Sequence, residues 1–338
     1  LEAEITDAAE ATGNTPSALE FAEDVFVDVQ FPDWFKISFL DLGEDLDEAL
    51  DAGKQGILLF ISASRCSYCK AFMQTSLKAP DIRRRLNANF DIIGLDIFDD
   101  RELTTVDGRQ FRVKEFVLQS RASNTPTLIF VGEHGRVLAR IVGYYPPEQF
   151  RQVLDYLEAR AYVREPLGDY LQRARQGAGD EVRPIIADDL FSRPPYMLDR
   201  SRLPAQRPLL VVFEGPGCVA CERFHRRVLG DKAIRRLIAD YDAVQLDASD
   251  ERGRVVTPDG AKTTPADWYR SLGLSYQPAV LFFDEQGEEV MRIDSETQRF
   301  RMEGSLQLVL EGTAPEEAQL QRWRRTKAIE RFQRPDEG

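Results

Sequence analysis

An internal repeat constrains this chain more than any other feature of its sequence. Its four cysteines form two pairs, Cys66-Ser67-Tyr68-Cys69 and Cys218-Val219-Ala220-Cys221, which are offset by 152 residues. The same offset relates apolar residues, prolines and glycines over more than eighty positions, including Leu58 and Leu210, Phe72 and Phe224, Pro126 and Pro278, and Gly135 and Gly287. A register held over that distance indicates one domain written twice.

Each copy shows the same order of predicted elements. An apolar run at Ile57–Ile61 predicts a strand buried on both faces, and the cysteine pair that follows begins a helix. The remaining predicted elements of the first copy are a strand at Phe90–Leu95, a hairpin of Thr127–Val131 with Val137–Ile141, and a closing helix with Phe150, Val153, Leu154 and Leu157 on one face. The strands predicted in the second copy are Leu209–Phe213, Ala243–Leu246, Ala279–Phe283 and Val290–Ile293.

Each half resembles a thioredoxin-fold domain, over about residues 34–160 and 200–315. The resemblance is carried by the CxxC motif after an apolar strand, by Phe72 and Phe224 three residues beyond it, and by a proline sixty residues past the first cysteine. The second motif is also similar to that of the C-terminal periplasmic domain of the thiol transporter DsbD. The resemblance implies an α/β fold of two tandem thioredoxin-like domains, each a central mixed β-sheet flanked by helices.

The chemistry of a CxxC motif assigns different roles to its two cysteines. At a helix N-terminus, free amide groups and the helix dipole favour a thiolate on the first sulfur, so Cys66 and Cys218 are predicted to be the nucleophiles. Cys69 and Cys221 are predicted to resolve the mixed disulfide. Arg65 and Lys70 flank the first pair and would favour its thiolate further.

The resemblance also implies a site around each proline. Pro126 and Pro278 would be cis and face the disulfides, and the preceding residues, Thr125 and Gln277, would offer backbone groups to a substrate strand. Tyr68 is the aromatic residue expected to contact a partner protein. These residues are the predicted substrate-binding set.

Two departures from the thioredoxin pattern matter for the chemistry. The buried carboxylate that thioredoxins keep six residues before the first cysteine falls on Phe60 and Val212, so proton transfer needs another group or water. The dipeptides inside the two motifs differ, which suggests two reduction potentials and an internal electron relay as a hypothesis.

Other interpretations of the cysteines and histidines stay open at this point. Four cysteines can bind zinc, and one pair can be a structural disulfide in a degenerate copy. His225 follows Cys221 by four residues, where a hydrogen-bonded histidine is favoured over a catalytic one, and His134 belongs to a turn. We expect no metal and no cofactor beyond redox-active disulfides at Cys66–Cys69 and Cys218–Cys221.

Composition excludes some classes of partner. A formal net charge of −13 repels phosphate backbones, so nucleic acid is not an expected partner. No apolar run approaches the length of a membrane span, which predicts a soluble protein. Residues 1–20 show no signal peptide, and one removed earlier would place the protein in the periplasm or an otherwise exported compartment, with the cytoplasm as the alternative.

The sequence suggests five segments. We expect an acidic lead-in at 1–33, a first domain at 34–160, a helix and Pro/Gly-containing linker at 161–199, a second domain at 200–315 and a basic helical tail at 316–338. Residues 158–176 are predicted to extend the closing helix of the first copy. The basic residues of the tail either face solvent or bind to the acidic remainder of the chain.

These observations predict a thiol–disulfide oxidoreductase that reduces protein disulfides through both CxxC centres by way of a mixed disulfide. Its expected partners are protein disulfide substrates and an upstream thiol electron donor. Alternatives are a disulfide isomerase or oxidase, and a client-binding, chaperone-like module in which the cysteines are accessory.

Overall fold

A computed structural model describes residues 30–64, 66–122, 124–176, 184–314 and 318–333. Most of the predicted lead-in, as well as Arg65, lies outside the described residues. The strands are β1 (Gly56–Ser62), β2 (Phe90–Asp96), β3 (Glu102–Thr104), β4 (Gln110–Arg112), β5 (Thr127–Val131), β6 (Val137–Val142), β7 (Tyr196–Met197), β8 (Leu209–Glu214), β9 (Asp242–Asp247), β10 (Val255–Val256), β11 (Lys262–Thr263), β12 (Ala279–Phe283) and β13 (Glu289–Ile293).

Helices cover both faces of the two main sheets. They are α1 (Leu42–Asp51), α2 (Ser67–Gln74), α3 (Pro80–Asn89), α4 (Val113–Gln119), α5 (Pro147–Glu158), α6 (Leu167–Gln176), α7 (Val219–Phe224), α8 (Lys232–Ile238), α9 (Pro265–Ser271), α10 (Arg299–Leu310) and α11 (Leu320–Gln333). A π-helical turn at His225–Leu229 continues α7. Among the described residues, no helix is long and apolar enough to cross a bilayer.

The two main sheets have the same topology. The first has the strand order β2-β1-β5-β6 and the second β9-β8-β12-β13. In each, the central strand that leads to the cysteines runs parallel to one neighbour and antiparallel to the other. This confirms the predicted mixed sheet and the hairpin at its edge.

The central strands are buried because helices pack on both of their faces. Every residue of β1 and every residue of β8 is buried. Phe72 of α2 packs edge-on against Phe60 of β1 and Phe150 of α5, with ring centroids 5.9 and 5.0 Å apart. This packing fixes the helix that carries the first cysteine pair against the end of its strand.

Two expectations about the connection between the domains need correction or refinement. The closing helix α5 ends at Glu158, because Arg160 adopts a left-handed conformation with φ of +48°, and α6 is a separate helix. The predicted linker is partly strand: β7 pairs in parallel with β10 of the second domain. The linker therefore contributes structure to the second domain.

The C-terminal helix α11 also contacts the first domain. The Arg322 guanidinium donates to the backbone carbonyl oxygens of Ile97 and Lys114, and Arg325 lies over the ring of Phe98. Part of the basic face of this helix therefore joins the two domains through backbone carbonyls and an aromatic ring.

The two copies meet at equivalent residues. Tyr144 and Glu296, which are related by the 152-residue offset, form an isolated antiparallel bridge. Contact between equivalent residues of antiparallel segments is what a local two-fold axis produces. Beside this bridge, the Tyr145 hydroxyl lies 2.8 Å from Ser275 Oγ. The two domains therefore contact each other at equivalent positions of the repeat as well as at non-equivalent ones.

We predict that Gly143→Ala disrupts this packing. Gly143 has φ of +100°, and a Cβ there would lie 1.9 Å from Ser295 Oγ of the other domain. Gly53→Ala is the matched control, because Gly53 has φ of +77° with nothing within 4 Å. An alanine in the left-handed region costs about 1–2 kcal/mol at either position, and only Gly143→Ala adds the clash. Urea unfolding should show the larger loss of stability for Gly143→Ala, and equal losses would contradict this packing.

Candidate functional site

In the first centre, Cys66 lies at the start of α2, four residues beyond the end of β1. Its Sγ accepts a hydrogen bond from the Cys69 amide at 3.1 Å and is bonded to the sulfur of Cys69 in a disulfide. The helix begins here because the chain leaves the buried strand and the sulfur caps the first turn. The first cysteine of the motif thus sits where free amide groups favour a negative charge.

The loop before β5 brings Thr125 and Pro126 to this disulfide. The Thr125–Pro126 peptide bond is cis, and the Thr125 hydroxyl donates to Cys66 Sγ at 3.2 Å. Cys66 Sγ therefore receives a side-chain donor as well as the amide of Cys69. Both hydrogen bonds would stabilise a thiolate at this position after reduction.

The second centre repeats this geometry with different side chains. Cys218 caps α7, its Sγ accepts from the Cys221 amide at 3.0 Å, and the two cysteines form a disulfide. The Gln277–Pro278 peptide bond is cis, and the Gln277 carbonyl oxygen lies 3.5 Å from Cys218 Sγ. In the second centre the residue before the proline, Gln277, presents a backbone carbonyl oxygen to the sulfur. In the first centre the equivalent residue, Thr125, donates a hydrogen bond from its hydroxyl.

The surroundings of the two centres differ in exposure. Cys66 and Cys69 are 4% and 0% exposed, whereas Cys218 is only partly buried and the adjacent Val219 is 52% exposed. A small cleft adjoins the second centre, lined by residues that include Ala220, Phe224, Tyr276, Pro278 and Glu296. The second disulfide is therefore the more accessible of the two.

The prediction that Tyr68 contacts a partner protein needs correction. Tyr68 is 5% exposed and packs under the second domain, where its hydroxyl accepts a hydrogen bond from the Gln298 amide at 2.9 Å. Thr125 is also fully buried, and its carbonyl oxygen accepts from Arg301 of the second domain. Both residues belong to the interface between the domains, because the start of α10 lies over them.

A buried polar cluster beside the second centre was not predicted. Glu214, the last residue of β8, is fully buried, and its carboxylate lies 2.9 Å from His225 Nε2 and accepts from Gln245 Nε2 at 2.9 Å. Asp188 approaches the other imidazole nitrogen at 3.6 Å. Burial lowers the pKa of His225, but the hydrogen bond to Glu214 and the charges of Glu214 and Asp188 outweigh it and raise the pKa above its usual value.

The first copy lacks this cluster. Ser62 and Met73 stand at the positions equivalent to Glu214 and His225, and Gly94 pairs with β1 where Gln245 pairs with β8. The sequence favoured a surface or hydrogen-bonded His225, and the structure shows a buried, hydrogen-bonded side chain rather than a surface one. The sequence signal that could have identified Glu214 was its position as an acidic residue directly after the apolar run Leu209–Phe213.

Asp294 is a second buried acid that sequence reasoning missed. It accepts hydrogen bonds from the backbone amides of Ser275 and Tyr276 at 3.0 and 2.8 Å. Burial raises its pKa, and these hydrogen bonds oppose that effect. Asp294 thus holds the segment directly before Gln277 and Pro278, although it lies far from the cysteines in sequence.

The sulfurs are paired within each motif, so the structure presents two separate disulfides. No group of three or more His, Cys, Asp or Glu side chains suited to a metal ion occurs in the part of the chain that the structure describes. In each disulfide the first sulfur lies at a helix start beside a proline loop, and only in the second is that sulfur partly exposed.

The model of the thioredoxin-like domain family matches two regions of the chain, residues 42–158 and 201–309. A thioredoxin-fold protein from Helicobacter pylori is 16% identical with a TM-score of 0.31, and the match covers 40% of this chain and 84% of that chain. A thioredoxin from Thermus thermophilus is 23% identical with a TM-score of 0.28, covering 35% and 83% of the respective chains.

The reduced C-terminal domain of Neisseria meningitidis DsbD is also similar in fold. It is 11% identical with a TM-score of 0.24, and the match covers 31% of this chain and 83% of that chain. A comparison with curated proteins found no match.

We predict that His225→Gln removes a pH dependence of stability. Because the pKa of His225 is raised in the folded state, its stabilising contribution is complete below about pH 6.5 and is lost as pH rises through the folded pKa. The free energy of unfolding of the wild type should therefore fall across that window, and the variant should lack this decrease. Urea unfolding of the oxidised protein at a series of pH values measures both.

His134→Gln is the control for this experiment. His134 is the only other histidine of the chain and is exposed in the turn before β6. The control should retain the wild-type slope. A slope that persists in His225→Gln would show that the Glu214–His225 pair does not stabilise the fold in its charged form.

Proposed function

The chain belongs to the thioredoxin-like domain family, and on that basis we propose that it is a thiol–disulfide oxidoreductase that reduces protein disulfides. One observation carries the proposal. In both copies a CxxC disulfide caps a helix beside a proline loop, with the first sulfur accepting the amide of the second cysteine. Two copies of the same arrangement are consistent with selection for the disulfide chemistry rather than for a fold alone.

The exchange has two steps in which electrons and atoms balance. The Cys218 thiolate attacks one sulfur of a partner disulfide, forms a mixed disulfide and expels the other partner sulfur as a thiolate. The Cys221 thiolate then attacks Cys218 Sγ, which closes the Cys218–Cys221 disulfide and releases the partner as a dithiol. Two electrons pass to the partner, and an upstream thiol electron donor must restore the reduced pair.

The second step needs a base for the buried Cys221 thiol. In the second centre we propose the Glu214 carboxylate for this role, with His225 as the residue that holds it in place. Glu214 precedes Cys218 by four residues, and His225 follows Cys221 by four, one helical turn away. This pair would replace the carboxylate that is absent at Val212.

The direction of transfer follows from how well each thiolate is stabilised. A strongly oxidising pair has a strongly stabilised reduced form. At Cys218 the amide of Cys221 donates, while the Gln277 carbonyl oxygen faces the sulfur at 3.5 Å. A carbonyl oxygen disfavours a nearby thiolate, which supports reduction of clients over oxidation at this centre.

The cleft beside Pro278 offers a surface for a client protein. Ala220 and Pro278 line it, and Val219 at the start of α7 is 52% exposed, whereas Gln277, which precedes the proline, is buried. We propose protein disulfides as the clients. We also propose an exported, periplasmic location, which rests on the resemblance of the second CxxC motif to that of the periplasmic C-terminal domain of DsbD, with the cytoplasm as the alternative.

We predict that replacing all four cysteines by serine abolishes catalysed reduction of insulin disulfides by dithiothreitol. The rate should fall to that of dithiothreitol alone, because no dithiol remains to form the mixed disulfide. Unfolding measurements on the variant, compared with the oxidised wild type, establish that it is folded. A folded variant that retains catalysis would refute the proposal. Suppression of client aggregation that survives in the variant, with catalysis absent from the wild type, would favour the client-binding alternative.

A further inference from the structure

The two centres have equivalent backbones but unequal access. Cys66 is 4% exposed, although Cys218, which caps the equivalent helix, is only partly buried. The strand, the helix start and the cis-proline loop are equivalent in the two copies, so the side chains and segments packed around each centre account for the difference.

The segment at the start of α10 provides that cover. Glu296 forms the backbone bridge to Tyr144, and the Gln298 amide donates to the Tyr68 hydroxyl at 2.9 Å. One turn further along the chain, Arg301 reaches the first centre. Residues 296–301 of the second domain thus lie along the side of the first domain that carries Tyr68 and Thr125.

Arg301 makes the closest contacts in this cover. Its Nη2 donates to the Thr125 carbonyl oxygen at 2.6 Å, and its guanidinium carbon lies 3.5 Å from the centre of the Tyr68 ring. The side chain is 2% exposed, and its Nη1 has no hydrogen-bond partner among the described residues. A buried guanidinium is costly, so these two contacts with the first domain are what stabilise Arg301 in this position.

The Thr125 carbonyl is the group that precedes the proline of the first centre. A client strand that pairs with this loop needs backbone groups of Thr125, and Arg301 already occupies its carbonyl oxygen. Thr125 Oγ1 also contacts Cys66 Sγ, so Arg301 and the reactive sulfur are bound to the same residue. A client and the 296–301 segment cannot occupy this loop together.

The chain builds this closure on one side only. At the positions equivalent to Arg301 and Tyr68, the repeat has Gln149 and Ala220. Gln149 is uncharged and therefore cannot make a charge-assisted hydrogen bond. Its Oε1 is buried without a hydrogen-bond partner among the residues that the structure describes. Ala220 has no ring for a cation to lie on. The interface therefore places a charge-assisted contact on the first centre that, within the described chain, has no counterpart at the second, where Ala220 and Tyr276 pack against the core of the first domain.

We propose that the second domain acts as a built-in cover that closes the Cys66–Cys69 centre to protein clients, with Arg301 as its latch. Client proteins exchange at the Cys218–Cys221 centre, and the first centre becomes available to them only when the domains separate. This inference rests on the proposed function for the identity of the client, whereas the closure itself concerns access to Cys66 alone.

Thiol labelling tests the closure without any measurement of activity. The full chain is reduced with dithiothreitol, freed of reductant and exposed to a maleimide carrying a polyethylene glycol chain, and labelled cysteines are identified by peptide mass spectrometry. In the wild type, Cys218 should be labelled at least about tenfold faster than Cys66, the factor expected from one charge-assisted hydrogen bond that must break. Equal labelling rates for the two cysteines would overturn the proposal.

Two variants that copy the other half of the repeat test the latch. Arg301→Gln and Tyr68→Ala introduce the residues already present at the equivalent positions, and each should accelerate labelling of Cys66 about tenfold while leaving Cys218 unchanged. If one variant fails to fold, as judged by circular dichroism, the other carries the test. Folded variants in which Cys66 stays as protected as in the wild type would refute the role of the latch.

Arg200→Gln controls for a general loss of stability. Arg200 is also a buried arginine that donates to a backbone carbonyl oxygen, that of Asp284, at 2.7 Å, and this contact lies within the second domain. It should leave the labelling of Cys66 slow. Acceleration by this control as large as that by Arg301→Gln would show that labelling reports unfolding rather than opening of the interface, which would also refute the proposal.

Discussion

Tyr144 and Glu296 join the two copies at equivalent positions, and this antiparallel bridge decides how each domain faces the other. In both copies the closing helix follows the bridge within a few residues, and the interface also contacts the proline loop of the first centre. The interface therefore lies beside the reactive disulfides. When the two copies carry different residues at one position of the repeat, the exposure of the cysteines or the charge around them therefore changes at only one of the two centres.

The two centres have diverged in complementary ways. The second has a partly exposed Cys218 and a buried Glu214–His225 pair. The first lacks that pair, receives an additional donor from the Thr125 hydroxyl and lies under Arg301. Since donors near a sulfur stabilise its thiolate, the first pair is expected to be the less reducing of the two. The different dipeptides of the two CxxC motifs are thus accompanied by different hydrogen bonds to the first sulfur and different exposure of the first cysteine.

The repeat and the strongly patterned elements could be predicted from the sequence, because local patterns determine them. The strand at Ile57–Ile61 is an apolar run, and the closing helix of the first copy shows its face through Phe150 and its neighbours. What could not be predicted depends on contacts between distant segments. The break at Arg160 is a single left-handed residue, and Tyr68 is buried by contacts with Gln298 and Arg301, which lie more than 200 positions away in sequence.

The reduction potential of each pair, measured in a variant whose other pair is Ser–Ser, tests the central claim most directly. The account predicts that both pairs cycle, that Cys218–Cys221 lies near the thioredoxin value of about −270 mV, and that Cys66–Cys69 is about 30 mV less negative, equivalent to about 1.4 kcal/mol. A Cys218–Cys221 potential near about −120 mV would contradict the account by identifying an oxidant, and a pair that does not cycle would identify its domain as a scaffold.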